Sequence, residues 1–189
     1  MTHPERGLIM VKPHAVQEGL EATVTDLLQD TRALDLLDTD DPLRATVQGI
    51  TLERSIAMDL RQSHVGNYLL ELFYADKSSR RYYPLIRECY TGNVVFIPYT
   101  YQGDLSPHTV YTSIKGSTEM FDTRNSRVTR ALGIRGALGE PYLYVSNADA
   151  AALDDQEYRK LFLPVVNNFI HVCDTTEQID EARNILENL

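Results

Sequence analysis

The chain has 189 residues, of which 43% are hydrophobic and 24% are charged, and its formal net charge is −9. This size and composition predict one soluble domain with a sizeable core. The acidic balance argues against nonspecific nucleic-acid binding, which requires a basic surface, but local positive groups can still bind a small anionic ligand. No apolar run approaches the roughly 18 residues of a membrane span. The two cysteines fit neither a disulfide framework nor a metal site. Because the N-terminus has no signal-peptide features, we expect a cytoplasmic protein.

In chain order, the N-terminal half predicts a buried strand over residues 7–12 and then a helix over 15–28. The cluster Asp38-Thr-Asp-Asp-Pro42 marks a surface loop. A second strand is expected over 46–54 and a helical stretch over 58–74. The segment "RRYYPLIRECY" predicts a short helix with Pro84 in its first turn, and "NVVFIPYTY" predicts a buried strand.

The C-terminal half is divided by a long segment without periodicity. After a helix expected over 106–114, "KGSTEMFDTRNSRVTRALGIRGALGEP" is rich in Gly, Thr, Ser and Arg, and a loop this long is usually functional or disordered. "PYLYVSN" and "NFIHVC" predict strands on either side of a helix over 154–161. Asp174-Thr-Thr-Glu177 has capping-box spacing and opens a last amphipathic helix. This alternation predicts an α/β or α+β sandwich, with helices packed on one sheet.

Three groups of residues suggest a phosphate site. Lys12 ends a buried strand, Tyr74 and Tyr82 flank a short helix, and the Arg-rich segment carries Thr118 and Arg135. Phosphoryl transfer needs cations and hydrogen-bond donors at the phosphate oxygens, usually with Mg²⁺. Each feature also has a purely structural explanation: a solvated lysine, packed tyrosines and a hydrophilic loop. The chain has no Walker-type phosphate loop.

The segment "LIMVKPHAV" resembles the opening of nucleoside diphosphate kinases, where the strand ends in Lys-Pro-Asp-Ala-Val. Four further segments resemble that family in the family's order: "FYADKSSRRYYPLIRECYTGNVV", "KGST", "GIRGALG" and "ADAAALDDQEYRKLF". Together they cover about residues 6–162. The resemblance implies a ferredoxin-like α/β (α+β) sandwich, an antiparallel sheet with helices packed on it, as a single domain over residues 1–189.

The resemblance also implies roles for the residues that suggested a phosphate site. Lys12 would lie by the ribose and phosphates, and Tyr74 would lie beside the phosphoryl site. Tyr82 would stack on the base. Thr118 and Arg135 would bind phosphate oxygens. Mg²⁺ would arrive with the bound nucleotide, and no metal site made by the protein alone is expected.

The catalytic position departs from the family. Family members carry the phosphoryl group on the histidine of Asn-x-x-His-Gly-Ser-Asp, but no histidine lies within residues 109–170. Glu157 matches the glutamate that orients the catalytic group, and the spacing to it places Ser146 at the histidine. Sliding the strand offers Val145 or Asn147 instead. A serine hydroxyl is a poor nucleophile without a base, and Glu157 is the only candidate base.

Two segments have no counterpart in the resemblance: an insertion near residues 31–43 and a divergent C-terminal extension, 163–189, with a strand and a helix.

Because the family's nucleophile is missing, we expect a transferase that passes a phosphoryl or nucleotidyl group from a nucleoside triphosphate directly to an unidentified small molecule. In-line transfer of this kind needs positioning but no enzyme nucleophile. The candidate catalytic residues are Lys12, Arg135, Glu157 and Ser146. The alternative is a catalytically silent nucleotide-binding or scaffold protein. We expect a homo-oligomer with no nucleic-acid or membrane partner, and no conventional nucleoside diphosphate kinase activity.

Overall fold

The central strand of the sheet is β1 (Glu5–Val11). The computed structural model describes residues 4–29, 49–62, 64–103, 105–106, 110, 147–173 and 175–189. Over its whole length β1 pairs antiparallel with a nine-residue strand, Asn93–Tyr101. On its other side it pairs antiparallel with the short strand Ile170–Val172. The middle of the sheet is therefore assembled from segments far apart in the chain.

The outer edge of the sheet is a strand in two pieces. β2 (Thr51–Leu52) and β3 (Ile56–Asp59) pair antiparallel with successive parts of Asn93–Tyr101, which is β4, while Ile170–Val172 is β5. The order across the sheet is thus β2 and β3, then β4, β1 and β5. A mixed α/β fold with a five-stranded antiparallel sheet confirms the predicted fold class.

Seven α-helices lie in the residues given above, and two of them begin at sequence features that favour a helix start. α1 opens with a proline, which suits a first helical position. α6 opens with a capping box in which Asp154 accepts from the Glu157 amide and the Glu157 carboxylate accepts from the Asp154 amide. The helices are α1 (Pro13–Gln17), α2 (Glu21–Gln29), α3 (His64–Tyr74), α4 (Tyr83–Cys89), α5 (Asn147–Ala152), α6 (Asp155–Val166) and α7 (Thr176–Glu187).

The core is built around β1. Leu8, Ile9, Met10 and Val11 are each at most 2% exposed, so both faces of this strand are covered. That explains why its sequence is a continuous apolar run rather than an alternating one. Strands expected at 7–12, at 93–101 and in "NFIHVC" are confirmed, as are the short helix containing Pro84 and the helix predicted over 154–161.

The helix predicted over residues 15–28 was wrong as one piece. Gly19 has φ of 69°, a left-handed conformation that ends α1 and lets the chain turn into α2. The apolar spacing continues across this break. The periodicity therefore identified the buried face correctly and missed the turn.

Two further element boundaries were also wrong. Of the strand expected over 46–54, the described part forms only β2. The helical stretch expected around 58–74 begins with a 3₁₀ turn over Leu60–Gln62, and its α-helical part, α3, begins at His64. Met58 lies in β3, because pairing with Val94 of β4 outweighs the helical spacing. The last helix is capped by Thr175, whose hydroxyl accepts from the Gln178 amide, while Asp174 lies outside the described residues.

Several predictions fall outside the described residues. They are the insertion at 31–43, most of the helix at 106–114, the long Arg-rich segment and most of the strand at 141–147. The last residue of that predicted strand, Asn147, instead begins α5.

Arg183 of α7 ties this helix to the sheet. Its side chain is only 4% exposed. Nη1 donates to the carbonyl of Tyr99 at 3.0 Å and to that of Gly7 at 3.3 Å. Nη2 donates to both carboxylate oxygens of Glu53, at 2.7 and 2.6 Å. One guanidinium therefore joins α7, β1, β4 and the turn between β2 and β3.

We expect Arg183→Met to lower the free energy of unfolding by about 2–4 kcal/mol, because two backbone carbonyls and the carboxylates of Glu53 and Glu187 lose a charged hydrogen-bond donor. Arg6→Met is the matched control. Arg6 pairs with Glu187 in a more exposed position, and its loss should cost about 0–1 kcal/mol. Urea unfolding of the full chain measures both. Equal losses in the two variants would contradict a special role for Arg183.

Candidate functional site

Lys12 follows β1 directly and turns into the protein. It is 3% exposed, and its Nζ donates to the backbone carbonyl of Val166 at 2.8 Å. The same ammonium lies 4.8 Å from the ring centroid of Tyr90, within cation–π range. A buried ammonium needs such partners, because desolvating it alone is costly. In this structure the strand-end lysine is thus engaged with protein groups.

A buried polar cluster adjoins Lys12. The Tyr74 hydroxyl hydrogen-bonds the Tyr90 hydroxyl and lies 2.7 Å from Nδ1 of His171. The rings of Tyr74 and His171 also pack, with centroids 4.7 Å apart. We call Lys12, Tyr74, Tyr90 and His171 the lysine–tyrosine cluster. An ammonium, hydroxyls and an imidazole are all groups that can donate to phosphate oxygens.

The structure therefore brings two predicted site residues, Lys12 and Tyr74, into one cluster through Tyr90. Sequence reasoning missed Tyr90 and His171. Tyr90 follows α4, and His171 lies in β5, opposite Met10 of the central strand. A signal was present, since the predicted strand "NFIHVC" carries a histidine. That this strand pairs with β1 was not predictable from the sequence.

Tyr82 lies in a different aromatic group. It is half-buried and directly precedes α4. Burial is the main reason that the pKa of Tyr158 is raised, and nearby Tyr82 raises it further, whereas the Arg81 charge lowers it. The Arg81 guanidinium lies 4.2 Å over the Tyr158 ring, and Tyr158 stacks on Phe162 with centroids 4.1 Å apart. Tyr82 thus stands where α4 meets α6.

Glu157 is exposed and serves in the capping box of α6. Its amide donates to Asp154 at 2.8 Å, and its carboxylate accepts from the Asp154 amide at 3.3 Å. Thr118, Arg135 and Ser146 lie outside the described residues. Their predicted roles, and that of Glu157 beside Ser146, stay predictions.

His14, which stands where the family has aspartate, packs on the same region as Lys12. Its ring stacks on Phe169, with centroids 5.5 Å apart, and its Nε2 lies 3.1 Å from the Glu18 carboxylate. The backbone amide of Lys12 donates to the Phe169 carbonyl at 2.9 Å. Lys12 and His14 therefore both contact the connection between α6 and β5.

Among the residues that the structure describes, no three His, Cys, Asp or Glu side chains are grouped so that they could hold a metal ion. In the same part of the chain, no helix is both long and apolar enough to cross a membrane.

Solved structures resemble this chain, although no family model and no curated protein matches it. The nucleoside diphosphate kinase of Encephalitozoon cuniculi superposes with a TM-score of 0.52 at 17% identity, covering 94% of this chain and 84% of that one. The Aquifex aeolicus enzyme gives 0.50 at 18% identity, covering 95% and 92%. The fold is a mixed α/β sandwich on an antiparallel sheet. More particularly, it is the fold of nucleoside diphosphate kinases, which confirms at the level of fold the resemblance read from the motifs.

Cys89 offers a chemical probe of the Lys12 charge. Burial raises the pKa of its thiol, and the positive charge of Lys12 partly lowers it again. Removing that charge in Lys12→Met should raise the pKa further. At about pH 8.5 less thiolate is then present, and alkylation slows.

Mass spectrometry of iodoacetamide-treated protein follows Cys89 separately from the buried Cys173. Lys160→Met, which removes an exposed lysine of α6, should react at the wild-type rate. Unchanged or faster alkylation of Cys89 in Lys12→Met would contradict the placement of the ammonium.

Proposed function

We propose that the protein binds a nucleoside triphosphate with Mg²⁺ and transfers a phosphoryl or nucleotidyl group directly to a second small molecule. One observation carries the proposal. In a nucleoside diphosphate kinase fold, Lys12 and Tyr74, which the motifs assign to the phosphates, belong to one polar cluster at the end of the central strand. A cation and hydroxyl donors at fixed positions suit the charge that develops on a transferring phosphoryl group.

Direct transfer asks little covalent chemistry of the protein. In phosphoryl transfer an acceptor oxygen attacks the γ-phosphorus as its bond to the bridging oxygen breaks, and the nucleoside diphosphate leaves. In nucleotidyl transfer the acceptor attacks the α-phosphorus, and pyrophosphate leaves. In both, the acceptor's proton is released to a base or to water. Lys12 and Arg135 would neutralise charge, and Thr118 would donate to a phosphate oxygen. Tyr82 would stack on the base. Such positioning and charge stabilisation are the main terms in phosphoryl transfer.

A second candidate function is nucleotide binding without catalysis. Two observations favour it: Lys12 is buried against the Val166 carbonyl, and Glu157 is used to cap α6. Residues engaged in this way stabilise the fold, so their presence in the sequence does not require that the protein be a catalyst. The two candidates share nucleotide binding and differ in whether an acceptor substrate exists.

Calorimetric titration with ATP and Mg²⁺ tests the shared step. We expect Lys12→Met to weaken binding by about 1–3 kcal/mol, or about 5- to 150-fold, because a charge-assisted hydrogen bond to phosphate is lost. Lys160→Met should bind as the wild type does. If Lys12→Met is folded and binds ATP with wild-type affinity, Lys12 does not contribute to the nucleotide site. ATP consumption during a screen of small-molecule acceptors then separates transferase from silent binder.

Incubation with γ-labelled ATP should not yield acid-labile, alkali-stable phosphoprotein, because no histidine lies within residues 109–170. Stoichiometric label of that kind would contradict direct transfer. Its loss in His171→Asn would identify the histidine that carried it, and its persistence there would point to one of the other four histidines.

A further inference from the structure

The end of β1 holds the connection between α6 and β5, which runs from Val166 to Phe169. The Lys12 amide donates to the Phe169 carbonyl at 2.9 Å, and the Lys12 ammonium donates to the Val166 carbonyl at 2.8 Å. His14 stacks on the Phe169 ring. Two contacts from Lys12 and one from His14 therefore hold this connection in place.

The ammonium acts here as a helix cap. Val166 is the last residue of α6, and the carbonyls of a final helical turn have no partner within the helix. They also form the negative end of the helix dipole, where a cation is stabilising. A positive side chain that reaches this position from another element is a charge-assisted cap.

Burial makes this cap incompatible with ligand binding. Lys12 is only 3% exposed, so a phosphate cannot contact its ammonium unless the side chain or its surroundings move. We infer that nucleotide phosphate competes with the Val166 carbonyl for Lys12, so that binding uncaps α6 and loosens the α6–β5 connection. This inference rests on the proposed function, since it requires a phosphate at Lys12.

The strand next to the cap has few pairing residues in the sheet. β5 pairs with β1 through only three residues, Ile170 to Val172, whereas β4 pairs along all seven residues of β1. A short strand with few ladder hydrogen bonds opens at lower free energy than a long one. His171 in this strand also contacts Tyr74, so the loosening would reach the rest of the lysine–tyrosine cluster.

Hydrogen exchange on the full chain, read by mass spectrometry over residues 164–173, tests the coupling. In the wild type, saturating ATP with Mg²⁺ should speed exchange in this segment about tenfold or more, as expected for the loss of a charged hydrogen bond. Without nucleotide, Lys12→Met should exchange in this segment as fast as the ATP-saturated wild type does. Adding ATP with Mg²⁺ should not change its exchange further. Lys160→Met, in the same helix, should behave as the wild type does.

The outcomes separate this inference from the function on which it rests. If calorimetry shows that ATP binds while exchange over 164–173 stays constant or slows, the competition is wrong and nucleotide binding stands. If ATP does not bind the wild type, the proposed function and the competition both fall. Equal exchange in nucleotide-free Lys12→Met and Lys160→Met would show that Lys12 does not cap α6.

Discussion

The hydrogen bond from the Lys12 ammonium to the Val166 carbonyl is the constraint around which the candidate site is arranged. A buried cation must find acceptors, and here it finds the end of α6 and the face of Tyr90. That choice fixes where α6 stops and how the chain enters β5. The same ammonium is also the first candidate for a phosphate ligand. In the competition that we propose, stability of the fold and phosphate binding draw on one charge, and a gain for one is a loss for the other.

Much of the fold was predictable because its signals are local. The apolar runs of β1 and β4 and the proline in the first turn of α4 each specify an element without reference to the rest of the chain. The errors arose where tertiary structure overrides a local pattern. Gly19 breaks a helix whose apolar spacing continues, and Met58 follows its partner in β4 instead of its helical neighbours.

The site was less predictable for a geometric reason. The lysine–tyrosine cluster joins residues 12, 74, 90 and 171, and motif order along the chain does not say which backbone carbonyl a long side chain reaches. Motifs identified Lys12 and Tyr74. Tyr90 and His171 become visible only when β5 is paired with β1. The cap formed by Asp154 and Glu157, in contrast, has a spacing that the sequence displays, and it offers a structural role for a residue first considered as catalytic.

The pairing of β1 with segments near the C-terminus bears on how the nascent chain folds. β1 is synthesised some 160 residues before β5, and Arg183 must also emerge before its guanidinium can reach the Gly7 carbonyl. Contacts of such long sequence separation close slowly and late. The apolar run of β1 therefore stays incompletely covered until β5 and α7 have been made, and during that interval it is exposed to aggregation and open to chaperone binding.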